Sequence, residues 1–404
     1  PSRGDSVDIK VNSGSILGQT LDLKNFNIDL KSIDLNKPVI KVYAFGGGQE
    51  DPEFADKLFD DFMHIKVDEL SIQEGFFLIT DPDEPIRNDG SIDLKHLTLK
   101  DIDLDLSNVI VDTDSIASLI NSARMIEPHG LAIQEFAGDL ILDNYHLAID
   151  ELDLQTANSH FRDKLLLEYD DISDFGKIET DVLFSIDLQN SKIATYDLAL
   201  FVSAMKKLKM AELKPERLIH ATGKLKGTFD NLRGKNLDVR FGNNTHFKGD
   251  ADIMGLPDIN ESFIDINANS FTTTTSDFES LFPSYSLPLS IRTMGPIHYE
   301  GQVTGFLNDF VANGLVSSDF GQIDADVNLK LVGDDVIYTG EIETYQFDVS
   351  RLTGDDKIGK VSLVTTVKGK NFSIDEAEVL LDGTIQQLEY NGYLYNNLLV
   401  DGSL

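Results

Sequence analysis

Apolar and polar residues alternate at nearly every step along much of this chain. Ile323, Ala325, Val327, Leu329 and Leu331 are interleaved with Asp324, Asp326, Asn328 and Lys330, and Val361, Leu363 and Val367 are spaced in the same manner. A period of two places successive side chains on opposite faces of a sheet, so these segments predict half-buried β-strands. Helical periodicity is scarce. The clearest case spans Tyr196–Met210, where Leu198, Phe201, Val202, Met205 and Leu208 fall on one stripe and Lys206, Lys207 and Lys209 crowd the last turn. Two shorter helices are expected at Glu53–Met63 and at Ser276–Phe282, the latter closed by Pro283.

Within the first 160 residues a local pattern recurs, with apolar residues at offsets 0, 2, 5 and 7. It appears as Leu21/Leu23/Phe26/Ile28, Ile65/Val67/Leu70/Ile72, Leu97/Leu99/Ile102/Leu104 and Leu147/Ile149/Leu152/Leu154. These offsets share no helical face at about 100° per residue. They fit two strand segments separated by one extra residue, which returns the chain to the same buried side after a bulge or tight corner. Successive copies start 44, 32 and 50 residues apart, too irregular and too long for a leucine-rich repeat.

A second repeat occupies the later part of the chain. Gly223, Leu225, Gly227, Phe229 and Leu232 are echoed 78 residues later by Gly301, Val303, Gly305, Leu307 and Phe310, and more weakly from Gly383. Glycines on the apolar side of a strand suit a bend or a close approach of two backbones. Repeated amphipathic strands must bury one face, and a barrel, a sandwich, a solenoid or a long folded sheet would each do so. Roughly 25–30 strands are expected if strand and turn together take about 12–15 residues.

Charge decides where the polar face points. The 404 residues carry 34 Lys and Arg against 69 Asp and Glu, a net charge of -35. Such a surface repels polyanions, which excludes sequence-independent nucleic-acid binding and disfavours docking on anionic lipid headgroups through a basic patch. Asp101, Asp103 and Asp105 alternate with Ile102, Leu104 and Leu106, so acids and aliphatic residues separate onto two faces. A calcium loop would require glycine where Leu106 stands, and the three acids read as a solvated face.

Catalytic chemistry finds no foothold. There is no cysteine, hence no disulfide, zinc–thiolate site or thiol nucleophile. No two of the eight histidines are placed as a helical zinc pair, and the nucleophile-elbow, P-loop and dinucleotide signatures are missing. Gly46, Gly47 and Gly48 lack the Lys-Ser/Thr that would follow in a P-loop and read as a turn. The chain reads as a non-enzyme without cofactor or metal. No run approaches the ~18 apolar residues of a spanning helix. Beginning at Pro1 and ending at Leu404 inside a strand-like pattern, it reads as a fragment of something longer.

The segment Leu225–Ile266 resembles the TamB branch of the AsmA-like superfamily in its Bacteroidetes form. The most specific element is Gly255-Leu256-Pro257-Asp258-Ile259, which follows a strand containing Phe247, Lys248 and Gly249. Asn36–Tyr43, Leu97–Leu106 and Ser159–Phe175 support the resemblance, as does the helix expected at Tyr196–Met210. It implies a mainly β fold: a long antiparallel-rich sheet bent into a U-shaped trough with an aliphatic interior and a few short helices. Residues 1–160 would form one section of the trough and 161–404 its continuation, both lacking the anchor and C-terminal domain of the full protein.

By the same resemblance, the chain would be a section of a periplasm-spanning, bridge-like lipid transfer protein anchored in the inner membrane. Its partners would be phospholipid acyl chains and, through the missing C-terminal region, an outer-membrane assembly barrel. The groove lining would comprise Leu225, Phe229, Leu237, Val239, Phe241, Phe247, Ile253, Ile264, Ile266, Ile323, Val327, Leu329, Val361 and Leu363. Ser6 and Ser115 match the O-glycosylation motif of Bacteroidetes relatives. Two other functions compete with the conduit: a scaffold that assists outer-membrane β-barrel assembly by strand addition, and an adhesin or structural solenoid with a closed core.

Overall fold

A computed structural model describes residues 6–22, 27–43, 64–88, 90, 92–171, 174–175, 178, 180–201, 218–256, 261–281, 292–333, 335–371 and 378–403. The chain is mainly β, with 22 strands and a few short helices among the described residues. It divides into two compact units, Pro1–Phe229 and Asp230–Leu404. Among the described residues no helix is long and apolar enough to cross a membrane. The helix expected at Glu53–Met63 lies outside the described residues.

The first unit contains β1 (Ser6–Lys10), β2 (Ser13–Asp22), β3 (Asn27–Asn36), β4 (Val39–Tyr43), β5 (His64–Thr80), β6 (Thr98–Val111), β7 (Ser115–Ile126), β8 (Ala132–Asp143), β9 (His146–Thr156), β10 (His160–Glu168), β11 (Leu183–Ala194) and β12 (Leu218–Thr228). β1 and β2 pair antiparallel with β4 and β3, and β3 and β4 then run parallel to the two halves of β5. A parallel pair needs a long crossover, unlike the hairpins that join antiparallel neighbours. From β5 to β12 each strand pairs antiparallel with the next.

In two of its four copies, the 0-2-5-7 pattern is a strand with one surplus residue: Asp101 and Glu151 fall at that position, with φ of 51° and 52°, in the left-handed region where a bulge reverses the pleat. In the copy on β5, Ile65, Val67, Leu70 and Ile72 pair with Val111, Val109, Leu106 and Leu104 of β6 in unbroken register. The copy around Leu21 differs. Leu21 pairs directly with Ile28, so this copy spans a hairpin connection between two strands. Val67, Val109, Ile120, Ala123, Ile149 and Leu152 are all buried, each on or beside one of these bulged strands.

The second unit is an antiparallel meander. Its strands are β13 (Asn231–Phe241), β14 (Thr245–Met254), β15 (Phe263–Thr273), β16 (Ile297–Phe306), β17 (Asp309–Ser318), β18 (Gly321–Val332), β19 (Asp335–Asp348), β20 (Ile358–Lys370), β21 (Glu378–Tyr390) and β22 (Tyr393–Ser403). Among the described residues of the unit each strand pairs with its sequence neighbours, the antiparallel pattern that hairpin connections allow.

Short helices recur every four strands: α1 (Thr195–Phe201) after β11, α2 (Thr275–Leu281) after β15 and α3 (Val349–Thr353) after β19. Each reaches back to the turn between the two strands before its own. Buried Asp197 of α1 accepts Thr156 Oγ1 at 2.6 Å and Asn158 Nδ2 at 3.2 Å from the β9–β10 turn. Asp277 of α2 accepts the Asn244 amide at 2.7 Å from the β13–β14 turn. Arg351 of α3 donates to the Asp319 carbonyl at 3.0 Å and covers the Phe320 ring at the β17–β18 turn. The 78-residue glycine repeat follows this four-strand period, since its two strong copies lie on β12 and β16. The expected helix at Ser276–Phe282 corresponds to α2, which begins one residue earlier; Phe282 lies outside the described residues. Of the helix expected at Tyr196–Met210, α1 supplies the first turns, and residues 202–210 lie outside the described residues.

Candidate functional site: an uncharged sheet face

Directly paired residues of antiparallel strands point to the same face, so the register of the second unit defines its two surfaces. One row runs through Val239, Phe247, Phe271, Tyr299, Val316, Ile323, Thr344, Leu363, Ile385 and Leu398, each paired with the next from β13 to β22. The neighbouring row is made of small residues at its centre, with Gly249, Ala268, Gly301, Gly314 and Ala325 paired in turn. A third row follows with Ala251, Ile266, Val303, Ala312, Val327, Gly340 and Val367, and a fourth with Ile253, Ile264, Gly305, Phe310, Leu329 and Tyr338. No Asp, Glu, Lys or Arg stands in these rows. Ten strands spaced about 4.8 Å apart carry such a face across roughly 43 Å.

The rows survive the interruptions in register because the bulges change side in step. In β13 the aliphatic side passes from Leu232 and Gly234 to Leu237, Val239 and Phe241 across a register shift at Lys235 and Asn236. Without the surplus residue, Leu237 would face the charged side. Gly301 and Gly314 meet across β16 and β17, and a Cβ at Gly301 would stand 2.1 Å from the Asn313 carbonyl oxygen. Only glycine allows that approach. Tyr299 covers the gap, its hydroxyl donating to the carbonyls of Gln302 at 2.8 Å and Asn313 at 3.0 Å. Tyr338 lies over Gly369 in the same way. Burial pushes both phenols above their ordinary pKa, so neither brings charge to the face.

Most side chains of these rows are half-buried, neither sealed nor free. A sandwich interior would close them from both sides. Burial is complete mainly at the rim where α2 and α3 sit: Phe241, Thr273, Phe320, Phe347 and Val361 are buried there, Phe320 and Phe347 edge to face at 6.2 Å.

The opposite surface carries the charge, arranged in cross-strand groups. Asp238 lies 2.7 Å from His246 Nε2 and 3.2 Å from Lys248 Nζ; burial raises its pKa, but the hydrogen bonds from His246 and Lys248 outweigh that and hold it below the ordinary value. Asp309 accepts Asn328 and Lys330, and Asp335 accepts Lys370 and Asn371; these hydrogen bonds lower both carboxyls. Among the described residues no group of three or more His, Asp and Glu side chains converges as a metal site.

Of the fourteen residues expected to line a groove, twelve meet on the uncharged face: Leu237, Val239, Phe241, Phe247, Ile253, Ile264, Ile266, Ile323, Val327, Leu329, Val361 and Leu363. Leu225 and Phe229 belong to the first unit, where Leu225 pairs with Ile186 and the Phe229 ring lies 5.0 Å from Phe184. The sequence pattern does not single out Phe271, Tyr299, Tyr338 and Ile342, which complete the same face. A period-two signal is present at all four, but intervening glycines and alanines dilute it. Ser6 opens β1 and is exposed, while Ser115 opens β7 with its hydroxyl 3.3 Å from Asp114 Oδ1.

No family model, no curated protein and no solved structure matches the chain.

Proposed function

We propose that the uncharged face of β13–β22 binds the hydrocarbon chains of lipids, and that the protein is a section of a bridge carrying phospholipid between two membranes. The observation that carries this reading is an apolar surface ten strands wide, free of charge in its paired rows and only half-buried. Covering it with acyl chains would gain about 0.8 kcal/mol per buried CH₂. Phospholipid headgroups would remain at the open rim, in water, away from the acidic outer surface that repels anions. The resemblance to the TamB branch supplies the rest of the proposal: a periplasmic location, an inner-membrane anchor and an outer-membrane assembly barrel as partner.

A photo-crosslinking amino acid placed at Phe247 or Val327 should capture lipid from cells, whereas the same probe at Asp326 or Glu300, on the charged face, should not. Mass spectrometry of organic extracts of the purified protein should find phospholipid at near-stoichiometric amounts. Equal labelling of both faces, or no lipid at either, sinks the conduit. Polypeptide adducts at Phe247 would instead favour a scaffold for β-barrel assembly.

A further inference from the structure

The two rims of the uncharged face are built differently. Where β13, β15 and β19 end, α2 and α3 follow β15 and β19 directly, and Asp277 and Arg351 tie these helices back to the β13–β14 and β17–β18 turns. The outermost residues on the uncharged side of this rim, Phe241, Thr273 and Phe347, are each only 5% exposed. At the other ends of the same three strands, Leu232, Ile264 and Tyr338 are half-buried. β20 is the exception, with Val361 and Val367 buried towards either end. Among the described residues no helix stands at the second rim.

Met254, Phe306 and Val332, the last residues of β14, β16 and β18, reach this helix-free rim and are 42%, 45% and 49% exposed. Apolar side chains there shorten the passage through water for a hydrocarbon chain that crosses the rim. The dimensions suit chains laid along the strands. On β18 the uncharged side runs from Ile323 to Leu331, about 27 Å at about 3.4 Å per residue. The hydrocarbon of one bilayer leaflet is about 15 Å deep, half of the ~30 Å core, so it fits within that length. Neighbouring strands lie about 4.8 Å apart, close to the width of one hydrocarbon chain, so a two-chain lipid covers about two strands.

We propose that lipid lies lengthwise along β13–β19, with its headgroup at the helix-free rim and the methyl ends of its chains towards Phe241, Phe320 and Phe347 at the helix rim. Lipid then enters and leaves over the helix-free rim alone, because protein fills the other. The substrate class is a two-chain lipid with a single polar end. A lipid polar at both ends would have to bury one of them against those phenylalanines without a hydrogen-bond partner. The inference rests on the reading of this face as a lipid-binding surface, and the two fail by different results.

The chain contains no Trp, so a single introduced indole reports alone. Ile323→Trp and Leu329→Trp place it near the helix rim and near the helix-free rim on the same side of β18, about 20 Å apart. Each variant is incubated with vesicles of phosphatidylcholine brominated either beside the chain ester or near the terminal methyl, and is separated from them before fluorescence is read. The two bromine positions differ in depth by up to about 15 Å, so the Leu329→Trp variant should lose at least about twice as much emission to the ester-side bromine as to the methyl-side one, and the Ile323→Trp variant the reverse. Phe310→Trp and Val316→Trp repeat the contrast on β17 should a β18 variant fail to fold. Equal quenching by both lipids, or the reversed order, overturns the orientation while leaving lipid on the face. No quenching in any folded variant overturns the orientation together with the lipid-binding reading.

Discussion

Ser362 accepts the Gln346 amide at 3.0 Å, and this contact holds a bulge that keeps Phe347 and Val361 on the same face as Thr344 and Leu363. Ser362 is 5% exposed, so its loss cannot be made good by bulk water. Removing the acceptor strands a donor in a buried position. Ser362→Ala should cost about 1–3 kcal/mol of stability, read as a lowered denaturation midpoint in urea. Asn397→Gly provides the contrast, because Asn397 is exposed and has the same left-handed φ. Glycine adopts that conformation freely, so this change should move the midpoint by a few tenths of a kcal/mol at most.

Gly301 and Gly314 allow two backbones to approach where any Cβ would collide. Gly301→Ala forces its methyl against the Asn313 carbonyl oxygen and the Gly314 Cα, at 2.1 Å and 2.7 Å before relaxation. An overpacked strand centre costs about 1–3 kcal/mol, and the change should broaden or shift the thermal transition accordingly. Ala325→Gly, in the same row, removes only a methyl and should cost less. Calorimetry on the two variants separates close approach from ordinary packing.

Much of this architecture is legible as alternation. Ile323 to Leu331 reads as a strand with one apolar side, and the structure pairs it along its whole length without a break. Glycines in the repeat reach the apolar side as their spacing implies, Gly301 and Gly305 both facing it. Pairing partners are not legible, because they depend on contacts far apart in sequence. Nothing local in Asn27–Tyr43 announces that it will run parallel to His64–Thr80. Bulges outside the 0-2-5-7 pattern are hidden as well: a polar pair such as Lys235 and Asn236 looks like a break between strands until the neighbour's Asp250 is seen to accept the Asn236 amide.

A charge placed in the rows should be far less tolerable than one beside them. Val327 lies between Ala312 and Gly340 on the uncharged face, while Asp326, one residue earlier, points to the opposite surface. Val327→Asp should destabilise the second unit by about 1–3 kcal/mol, since a half-buried carboxylate finds no donor there. Thr339→Asp, exposed on the charged surface opposite Asn328 and Lys368, should cost under about 1 kcal/mol. Urea midpoints measure both, and the same pair in the crosslinking experiment should lose lipid at Phe247 only for Val327→Asp.

Asp265 gives the charged surface a pH dependence with a definite sign. Gln302 Nε2 donates to Asp265 Oδ1 at 2.9 Å and Thr304 Oγ1 at 2.8 Å, and these two bonds hold the carboxyl below its ordinary pKa despite some burial. A group depressed in the folded state binds its proton more weakly there than in the unfolded chain. Its stabilisation is therefore complete above the unfolded value, near about 3.9, and is lost as pH falls through the lower folded value. Asp265→Asn removes this titration. The variant should be less stable than the parent at neutral pH, and the gap between their melting temperatures should narrow as pH falls below about 4. A gap that stays constant from neutral pH to about pH 2 would show that Asp265 contributes through packing and not through its charge.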